Sequence, residues 1–404
     1  MFSSPPPSDR HPLETRSDGR PVVVHSLFEW LPSTMTWVYS QVRFADGMRA
    51  VVFADRVSNL DSFPWRPIYS PSVRPARPAQ MLRGQALVNR LGIPVHPAAY
   101  TRAIRTQSPR LLHSHFGDRG YRDMSLCSRF KLPQVVTFYG YDVSLLPTGS
   151  PRWRGRYAKL FEQADRFLCE GPHMAATLVE LGCPSEKVHV QRLGVDLEAI
   201  PYRRRRAAED GSLRVLVAST FAEKKGIPYG LEALSLLARA GYAVKVTIIG
   251  DSSGTERQER EKQRILKTLE DRSLRGRATL LGYVSHSELW RQAYMHDVFL
   301  APSMTASDGD TEGGAPVTII EMSASGMPVV STRHCDIPHV VQDGVTGFLA
   351  AERDSEGLAG GIKRLADSPE LRIAMGHAGR RHVEDSFDAR ILARKLEVHY
   401  LSLL

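Results

Sequence analysis

The chain has 404 residues, of which 42% are hydrophobic and 24% charged, and its formal net charge is +9. Four cysteines without CxxC or paired spacing argue against a disulfide scaffold and a zinc site, and no run approaches the ~20 apolar residues of a membrane span. Residues 1–20 lack the apolar segment of a signal peptide and are expected to be a disordered lead-in, so we predict a cytoplasmic protein with two domains.

From residue 21 onward, short apolar runs alternate with amphipathic stretches. This alternation is typical of α/β domains built on a parallel sheet. In the first half we predict strands at PVVVHS, MRAVVFA, RLLHSH, PQVVTF, RFLCE and KVHVQR, with helices between them. These elements predict a first Rossmann-like domain over residues 21–200.

The first domain has a strong excess of positive charge. Residues 62–160 contain 16 basic side chains and three acidic ones, Asp118, Asp123 and Asp142. A cationic face suits an anionic partner, and an anionic membrane surface would contribute about 1 kcal/mol per basic residue. Nucleic acid is not expected, because the stretch lacks a nucleic-acid-binding signature and its aromatic residues are not spaced for base stacking. A merely solvated basic face is the alternative.

A polar segment with four consecutive arginines is predicted to be a linker over residues 201–213. The alternation restarts beyond it, with strands predicted at RVLVAS, AVKVTIIG, ATLLG, VFLAPS, PVVST and GFLAA in a second domain over residues 214–382. A last amphipathic helix in residues 383–404 could pack on either domain. The fold class is therefore α/β, with two doubly wound Rossmann-like domains facing a central cleft, and ligands are expected at the carboxyl ends of the strands.

The segment EGGAPVTIIE, residues 312–321, begins as a glycine-rich turn and continues as a helix. Pro316 marks the first helical turn, because proline is favoured where its missing N–H would be unpaired, and Gly326 is a plausible stop. The helix then has about ten residues, and its first N–H groups face the turn at Gly313 to Ala315. Such an end binds anionic groups, phosphate above all.

Two other loops at strand ends carry candidate binding residues. Lys224 and Lys225 follow RVLVAS, where a lysine can meet a diphosphate, although most such pairs are solvated surface charge. Gly250, in the loop GDSSG, could let the backbone approach a ligand and is equally a plain turn. Glu321 lies one helical turn beyond Val317 and could reach a ribose, although a helix salt bridge is the common use of such a residue.

The motifs FAEKKG, VTIIGD, LLGYVSHSELW, DVFLAPS, EGGAPVTIIEMSASGMPVVST and DGVTGFLA, in this order, resemble the nucleotide-binding domain of family 4 (group 1) retaining glycosyltransferases. HSHFG, VVTFYGYDVS and LGVDLEAI in the first half are similar to members of the colanic-acid, exopolysaccharide-building type. The resemblance covers roughly residues 22–400 and implies the GT-B architecture of two facing Rossmann domains.

The resemblance also implies an activity and a set of site residues. The activity is sugar transfer from a nucleotide-sugar with retention at the anomeric carbon and without a metal or other cofactor. Glu312 would contact the donor sugar, Glu321 the ribose hydroxyls and Lys225 the diphosphate. The remaining donor-side residues are Gly313, Gly314, Ala315, Pro316, Val317, Lys224, Thr220, Gly250, Tyr283 and Val284. Tyr139 and Asp142 join Glu312 and Lys225 as catalytic candidates, and His115, Gly117 and Gly140 are assigned to the acceptor side.

The chain departs from the family pattern at four points. The two glutamates stand nine positions apart instead of eight. Thr220 replaces an arginine, so either Lys224 substitutes for that arginine or phosphate binding is weaker. Tyr139 replaces a histidine that often contacts the donor sugar; tyrosine can hydrogen-bond a hydroxyl but does not act as an imidazole near pH 7. His339 stands where an acidic residue is frequent, and it has no functional interpretation here.

Two metal-like patterns are interpreted otherwise. Asp308 and Asp310, in DGD, precede the glycine-rich turn and are predicted to form a loop. His113 and His115 are predicted to be neutral cleft residues or satisfied core histidines.

The expected donor is a UDP- or GDP-sugar, and the expected acceptor is a polyprenyl-diphosphate-linked saccharide or another glycan, reached from the inner face of the membrane. A sugar-nucleotide 2-epimerase of the same fold and a non-catalytic scaffold bound to membrane or nucleic acid are the alternatives. Assays for transfer, for free epimerised sugar and for donor hydrolysis separate the three.

Overall fold

A computed structural model describes residues 19–32, 35–71, 96–205 and 208–404 of the chain. The predicted lead-in therefore lies almost entirely outside the described residues, as does part of the basic stretch. The described residues form two parallel β-sheets, one in each half of the chain. Helices connect most successive strands in both halves. The prediction of two doubly wound α/β domains is confirmed.

The first sheet contains all six strands predicted for the first half and one more. Its strands are β1 Val22–Trp30, β2 Arg49–Val57, β3 Ile68–Tyr69, β4 Leu111–His115, β5 Gln134–Thr137, β6 Arg166–Cys169 and β7 Val188–Val190. The spatial order is β3-β2-β1-β4-β5-β6-β7. The additional strand, β3, has two residues and therefore too little pattern to be recognised. The order reverses between β1 and β4, which is where such sheets bind ligands.

The second sheet has the same design. Its strands are β8 Leu213–Ala218, β9 Val244–Ile249, β10 Ala278–Gly282, β11 Val298–Ala301, β12 Val329–Thr332 and β13 Gly347–Ala350. Their order is β10-β9-β8-β11-β12-β13, so the reversal falls between β8 and β11. All six strands predicted for the second half are present.

The helices follow the strands in both halves. In the first half they are α1 Thr36–Phe44, α2 Ala98–Gln107, α3 Gly117–Phe130, α4 Leu145–Gly149, α5 Pro151–Gln163 and α6 Pro172–Glu180. In the second half they are α7 Ile227–Arg239, α8 Glu256–Leu269, α9 His286–Met295, α10 Val317–Ala324, α11 Ile337–Val340, α12 Ser355–Asp367, α13 Pro369–Ser386 and α14 Ala389–Leu401.

Both faces of the central strand β8 are buried, which explains its apolar run VLVA. On β8, Val215 and Val217 belong to the core that contains Leu231 of α7. Leu216, between them, belongs to the core that contains Ile319 of α10. Helix α10 is therefore held against the face of the sheet, and its N-terminal turn is fixed at the carboxyl end of the strands.

Helix α14 follows the second domain in sequence but packs on the first sheet. The hydroxyl of Tyr400 lies 2.6 Å from Nδ1 of His113 on β4. Glu397 accepts a hydrogen bond from the backbone N–H of Gly47 at 2.6 Å. The two domains are thus joined by a second crossing of the chain as well as by the segment between β7 and β8. Among the helices of the described segments, none is both long and apolar enough to cross a membrane.

Candidate active site

The segment EGGAPVTIIE forms a sharp turn followed by α10. Gly313 has φ +76°, a conformation that favours glycine. Pro316 precedes the helix instead of lying in its first turn, because its ψ of 128° is extended, and α10 has 8 residues. No side chain of its own caps α10. Its first N–H groups therefore depend on other partners, as phosphate binding would require.

Lys225 and Glu312, two of the predicted catalytic residues, form an ion pair at this turn. Lys225 Nζ lies 2.8 Å from Oε2 of Glu312, and Ser303 donates a hydrogen bond to Oε1 at 2.8 Å. Burial opposes ionisation of Glu312, but the positive charges of Lys225 and Lys224 and these hydrogen bonds outweigh it and lower the pKa of the carboxyl group. Glu312 is therefore an anion at neutral pH.

Two residues that the sequence analysis did not identify, His334 and Glu352, position the backbone of Glu312. Nε2 of His334 accepts a hydrogen bond from the Glu312 N–H at 3.1 Å. Nδ1 of His334 lies 2.6 Å from Oε1 of Glu352. An accepting Nε2 requires the proton on Nδ1, so Glu352 fixes the tautomer of the histidine. An isolated histidine and glutamate with no fixed spacing could not be recognised from the sequence.

Lys224 serves the loop that contains DGD. Its Nζ lies 3.1 Å from Oδ1 of Asp310 and donates to the Thr311 carbonyl at 2.9 Å. Arg257 lies 2.6 Å from Asp308. Both aspartates are thus paired with protein cations, and the segment is a loop. Lys224 anchors this loop beside the site, whereas Lys225 reaches the turn itself.

Glu321 has no ion pair and no side-chain hydrogen bond among the described residues, although a salt bridge is what the sequence would most often indicate for it. It lies in the second turn of α10 and is partly buried. Burial raises the pKa of its carboxyl group to about 7. A buried carboxylate without a partner costs free energy, and a ligand that donates hydrogen bonds would relieve that cost.

The first domain meets this turn through its backbone at Gly140. A Cβ on Gly140 would come within 2.5 Å of the carbonyl oxygen of Glu312, and Gly140 has φ +129°. A Cβ on Gly313 would likewise overlap Gly140. Ser144 lies close by, where its hydroxyl accepts the Thr311 N–H at 3.3 Å. The two domains are closed on each other here, and only glycine fits.

Comparison with known families and proteins is consistent with this geometry. The model of "Glycosyltransferase Family 4" matches residues 45–199, and that of "Glycosyl transferases group 1" matches residues 200–382. The putative colanic acid biosynthesis glycosyltransferase WcaL of Escherichia coli is 32% identical over 70% of this chain and 68% of its own. The chain belongs to the family 4, group 1 glycosyltransferases. The amylovoran biosynthesis glycosyltransferase AmsK of Erwinia amylovora is 34% identical over 65% of this chain, but the match spans only 62% of AmsK.

Solved structures place this glycosyltransferase in the GT-B fold. HepE of Anabaena, solved in complex with UDP, superposes with a TM-score of 0.73 at 15% identity, over 95% of this chain and 100% of that one. Sucrose-phosphate synthase of Thermosynechococcus elongatus gives 0.71 at 17% identity, over 95% and 99%. At these identities the likeness shows the fold alone.

In this glycosyltransferase, three motif residues of the first domain are buried. His115 is fully buried, and its Nδ1 lies 2.6 Å from the hydroxyl of Tyr139, which is itself 9% exposed. Asp142 is also fully buried; its carboxylate accepts the N–H groups of Gly117, Tyr139 and Gly140 at 2.8–3.0 Å. Burial raises the pKa of Asp142 to about 7 against the effect of these bonds. Asp142 shapes the loop that carries Gly140.

The remaining donor-side candidates differ in exposure. Tyr283 is 58% exposed and donates a hydrogen bond to the Asp251 carbonyl at 2.8 Å, and Val284 packs on the core beneath it. Thr220 lies in the loop after β8 and is partly buried. A Cβ on Gly250 would overlap the backbone of Ser219, so this glycine serves close approach within its own domain.

One further pair of carboxylates, Glu170 and Asp336, lies where the domains meet. Glu170 directly follows β6, and its carboxylate lies against Gly314, where an added Cβ would come within 2.1 Å of Oε2. Asp336 belongs to the second domain and accepts the His173 N–H at 2.8 Å and the Met174 N–H at 3.3 Å. Neither residue stands in a motif, so neither could be recognised from the sequence.

Proposed function

We propose that this glycosyltransferase moves a hexosyl group from a UDP- or GDP-sugar to a saccharide acceptor, with retention of anomeric configuration, in the synthesis of an exopolysaccharide or other cell-surface glycan. The proposal rests on the Lys225–Glu312 pair at the N-terminal turn of α10. AmsK and WcaL are named for amylovoran and colanic acid biosynthesis, and HepE was solved with UDP-glucose, which supports the donor class and the pathway class.

The proposed chemistry is stabilisation of an anionic leaving group. The bond between the anomeric carbon and the phosphate oxygen breaks, and its electron pair passes to the nucleoside diphosphate. Lys225 and the first N–H groups of α10 stabilise that charge because they are fixed before the reaction begins. The acceptor hydroxyl bonds to the anomeric carbon on the same face, and its proton passes to the departing phosphate oxygen.

The two glutamates would grip opposite ends of the donor. Glu312, held by Ser303 and by its backbone bond to His334, would accept hydrogen bonds from sugar hydroxyls. Glu321, which lacks a protein partner among the described residues, would accept hydrogen bonds from the ribose, and such bonds favour its ionised form. The diphosphate would lie between them, beside Lys225.

We infer that no metal or other cofactor is required. Lys225 and the helix end supply the counter-charge that a divalent ion supplies in metal-dependent phosphate sites. Asp308 and Asp310, the residues most like a metal-binding pair, are occupied by Arg257 and Lys224. No step of the proposed reaction depends on Lewis-acid chemistry.

The acceptor is proposed to be a polyprenyl-diphosphate-linked saccharide at an anionic membrane surface, with the enzyme bound peripherally from the cytoplasmic side. The excess of basic residues over 62–160 supports this surface. Co-sedimentation with liposomes should increase with anionic lipid and decrease with salt, because exposed charges are screened over about 8 Å at physiological ionic strength. Binding that is indifferent to both would contradict the membrane proposal.

The reaction itself is tested by incubating the protein with UDP- and GDP-sugars and lipid-linked saccharides. The donor is found first by thermal shift, since a ligand of the native state raises the melting temperature. Transfer to the acceptor, with the donor's anomeric configuration preserved in the product by NMR, is expected. Free epimerised sugar would support the epimerase, inversion would contradict retention, and no turnover of any donor would support the scaffold.

A further inference from the structure

Near α10, each of the two domains places one carboxylate against the backbone of the other. The Glu170 carboxylate of the first domain lies against the turn before α10, where a Cβ on Gly314 would come within 2.1 Å of its Oε2 and the backbone N–H of Ala315 favours its charged form. Asp336 of the second domain accepts the N–H groups of His173 and Met174 in the first turn of α6. Neither α6 nor α10 has a capping side chain of its own. Asp336 of the second domain therefore caps α6 of the first, and Glu170 of the first domain lies against the turn that precedes α10 of the second.

The fit at both points is close. A Cβ on Gly314 would overlap the Glu170 carboxylate, and a Cβ on Gly171 would overlap the Asp336 carboxylate. The Asp336 N–H also donates to the Gly314 carbonyl at 3.3 Å. Because Gly314 and Gly171 have no side chain, the carboxylates of Glu170 and Asp336 can lie against the backbone of the opposite domain. This pair of contacts therefore depends on two glycines and two acids.

The Glu170 carboxylate stands among other acids. Burial and the neighbouring carboxylates of Asp336, Asp142 and Glu312 raise the pKa of Glu170 well above its ordinary value. The Ala315 N–H is an interaction that favours its charged form. A second anion at the same turn would add to the repulsion.

We propose that Glu170 is an internal competitor for the donor: it occupies the turn before α10 when the cleft is empty, and the diphosphate-sugar must displace or neutralise it to bind. This proposal rests on the proposed function, because the turn before α10 is the site assigned to the donor. Both routes lower the affinity for the donor. Displacing the Glu170 carboxylate gives up its interaction with the Ala315 N–H, and neutralising it requires the uptake of a proton. The hydrogen bonds from the first turn of α6 to Asp336 still join the two domains when Glu170 leaves. Movement of Glu170 alone therefore makes the turn before α10 accessible to the donor.

The test compares UDP and GDP affinity in wild type, Glu170→Gln and Glu180→Gln at pH 8. Glutamine has the shape of the acid without its charge. Glu180 ends α6 on the surface, so its substitution changes net charge equally without touching the turn. Calorimetry should show about tenfold tighter nucleotide binding for Glu170→Gln and no change for Glu180→Gln.

Unchanged or weaker binding by a folded Glu170→Gln, with wild type still binding nucleotide, would overturn the competitor role and leave the glycosyltransferase proposal intact. Binding of neither nucleotide to any of the three proteins would overturn both. If Glu170→Gln melts below wild type without ligand, Glu170→Asp serves instead. Its shorter side chain withdraws the charge from Ala315, and the same tightening is expected in smaller degree.

Discussion

On the second-domain wall of the cleft, Lys225 and Glu312 present charged side chains to each other at 2.8 Å, and Glu321 has no partner among the described residues. On the first-domain wall, His115 and Asp142 turn inward and bind groups of their own domain, and Gly140 contributes only backbone. Both walls are built at strand ends of similar sheets. A motif therefore identifies the strand end, but it does not tell which way the side chain points.

The largest expected effect tests the charged wall. Lys225→Ala should lower kcat/KM for donor by about 10²-fold or more, because it removes a preorganised charge from the leaving group. Lys267→Ala, an exposed lysine on α8, is the matched control and should retain full activity. Steady-state kinetics of both variants make the measurement. Comparable activities in the two variants would contradict the role of Lys225.

The backbone wall is tested by Gly140→Ala. The added Cβ overlaps the Glu312 carbonyl, and alanine is strained at φ +129°, so the domains should close incompletely. Turnover should fall by about tenfold or more, whereas affinity for the nucleoside diphosphate should not fall, because its proposed contacts lie on the second domain and opening also withdraws Glu170 from the turn. Gly149→Ala, where a Cβ meets no atom within 4 Å, controls for the substitution. Equal loss of nucleotide affinity and turnover would show that Gly140 does not act through closure.

The two glutamates of the charged wall should differ from each other. Glu321→Ala should weaken binding of the free nucleoside diphosphate and of the intact donor alike, by about tenfold, since a hydrogen bond to a charged group contributes roughly 1.5–3 kcal/mol. Glu312→Ala should lower turnover by a similar factor and leave nucleotide affinity nearly unchanged. Calorimetry with nucleotide and with donor separates the two, and equal losses of nucleotide affinity would mean that the ends are assigned wrongly.

The buried histidines of the first domain should make the free energy of unfolding decrease at acid pH. His25, His113 and His115 are buried neutral, and burial lowers the pKa of His25 to about 3. Their unfolded-state pKa is about 6.5, so stability is full above that value and lost as pH falls below it. Each histidine should therefore lower the free energy of unfolding by about 1.4 kcal/mol between pH 7.5 and 5.5. In urea unfolding, His25→Asn should lose about 1.4 kcal/mol less than wild type over this range. An identical pH dependence in the two proteins would contradict the prediction.

The smallest expected effect is none at all. Activity should survive EDTA, because Lys225 and the end of α10 carry the charge that a metal would otherwise supply. The assay is transfer with and without chelator, followed by addition of Mn²⁺. Complete loss of activity that Mn²⁺ restores would favour a metal site at Asp308 and Asp310. It would contradict the proposal that the second-domain wall supplies the counter-charge by itself.

Strand positions were predictable from the sequence because burial on both faces leaves apolar runs, as at VLVA in β8 and VFLA in β11. The turn at Gly313 was predictable because glycine and proline constrain the backbone directly. His334, Glu170 and Asp336 were not, since each acts across many residues of sequence on a partner that only the folded chain brings near. The inward turn of His115 also depends on Tyr139 and on the packing beneath the sheet, which no local pattern encodes.

The contact between Tyr400 on α14 and His113 on β4 joins residues 287 positions apart. A ribosome adds about 5–20 residues per second, so roughly 15–60 s separate the emergence of these two partners. During that interval the face of the first sheet that α14 will cover, with Val23, Leu111 and Val135 beside His113, is not yet buried. The first domain therefore cannot complete its packing until the second half of the chain, with α14 at its end, has been synthesised.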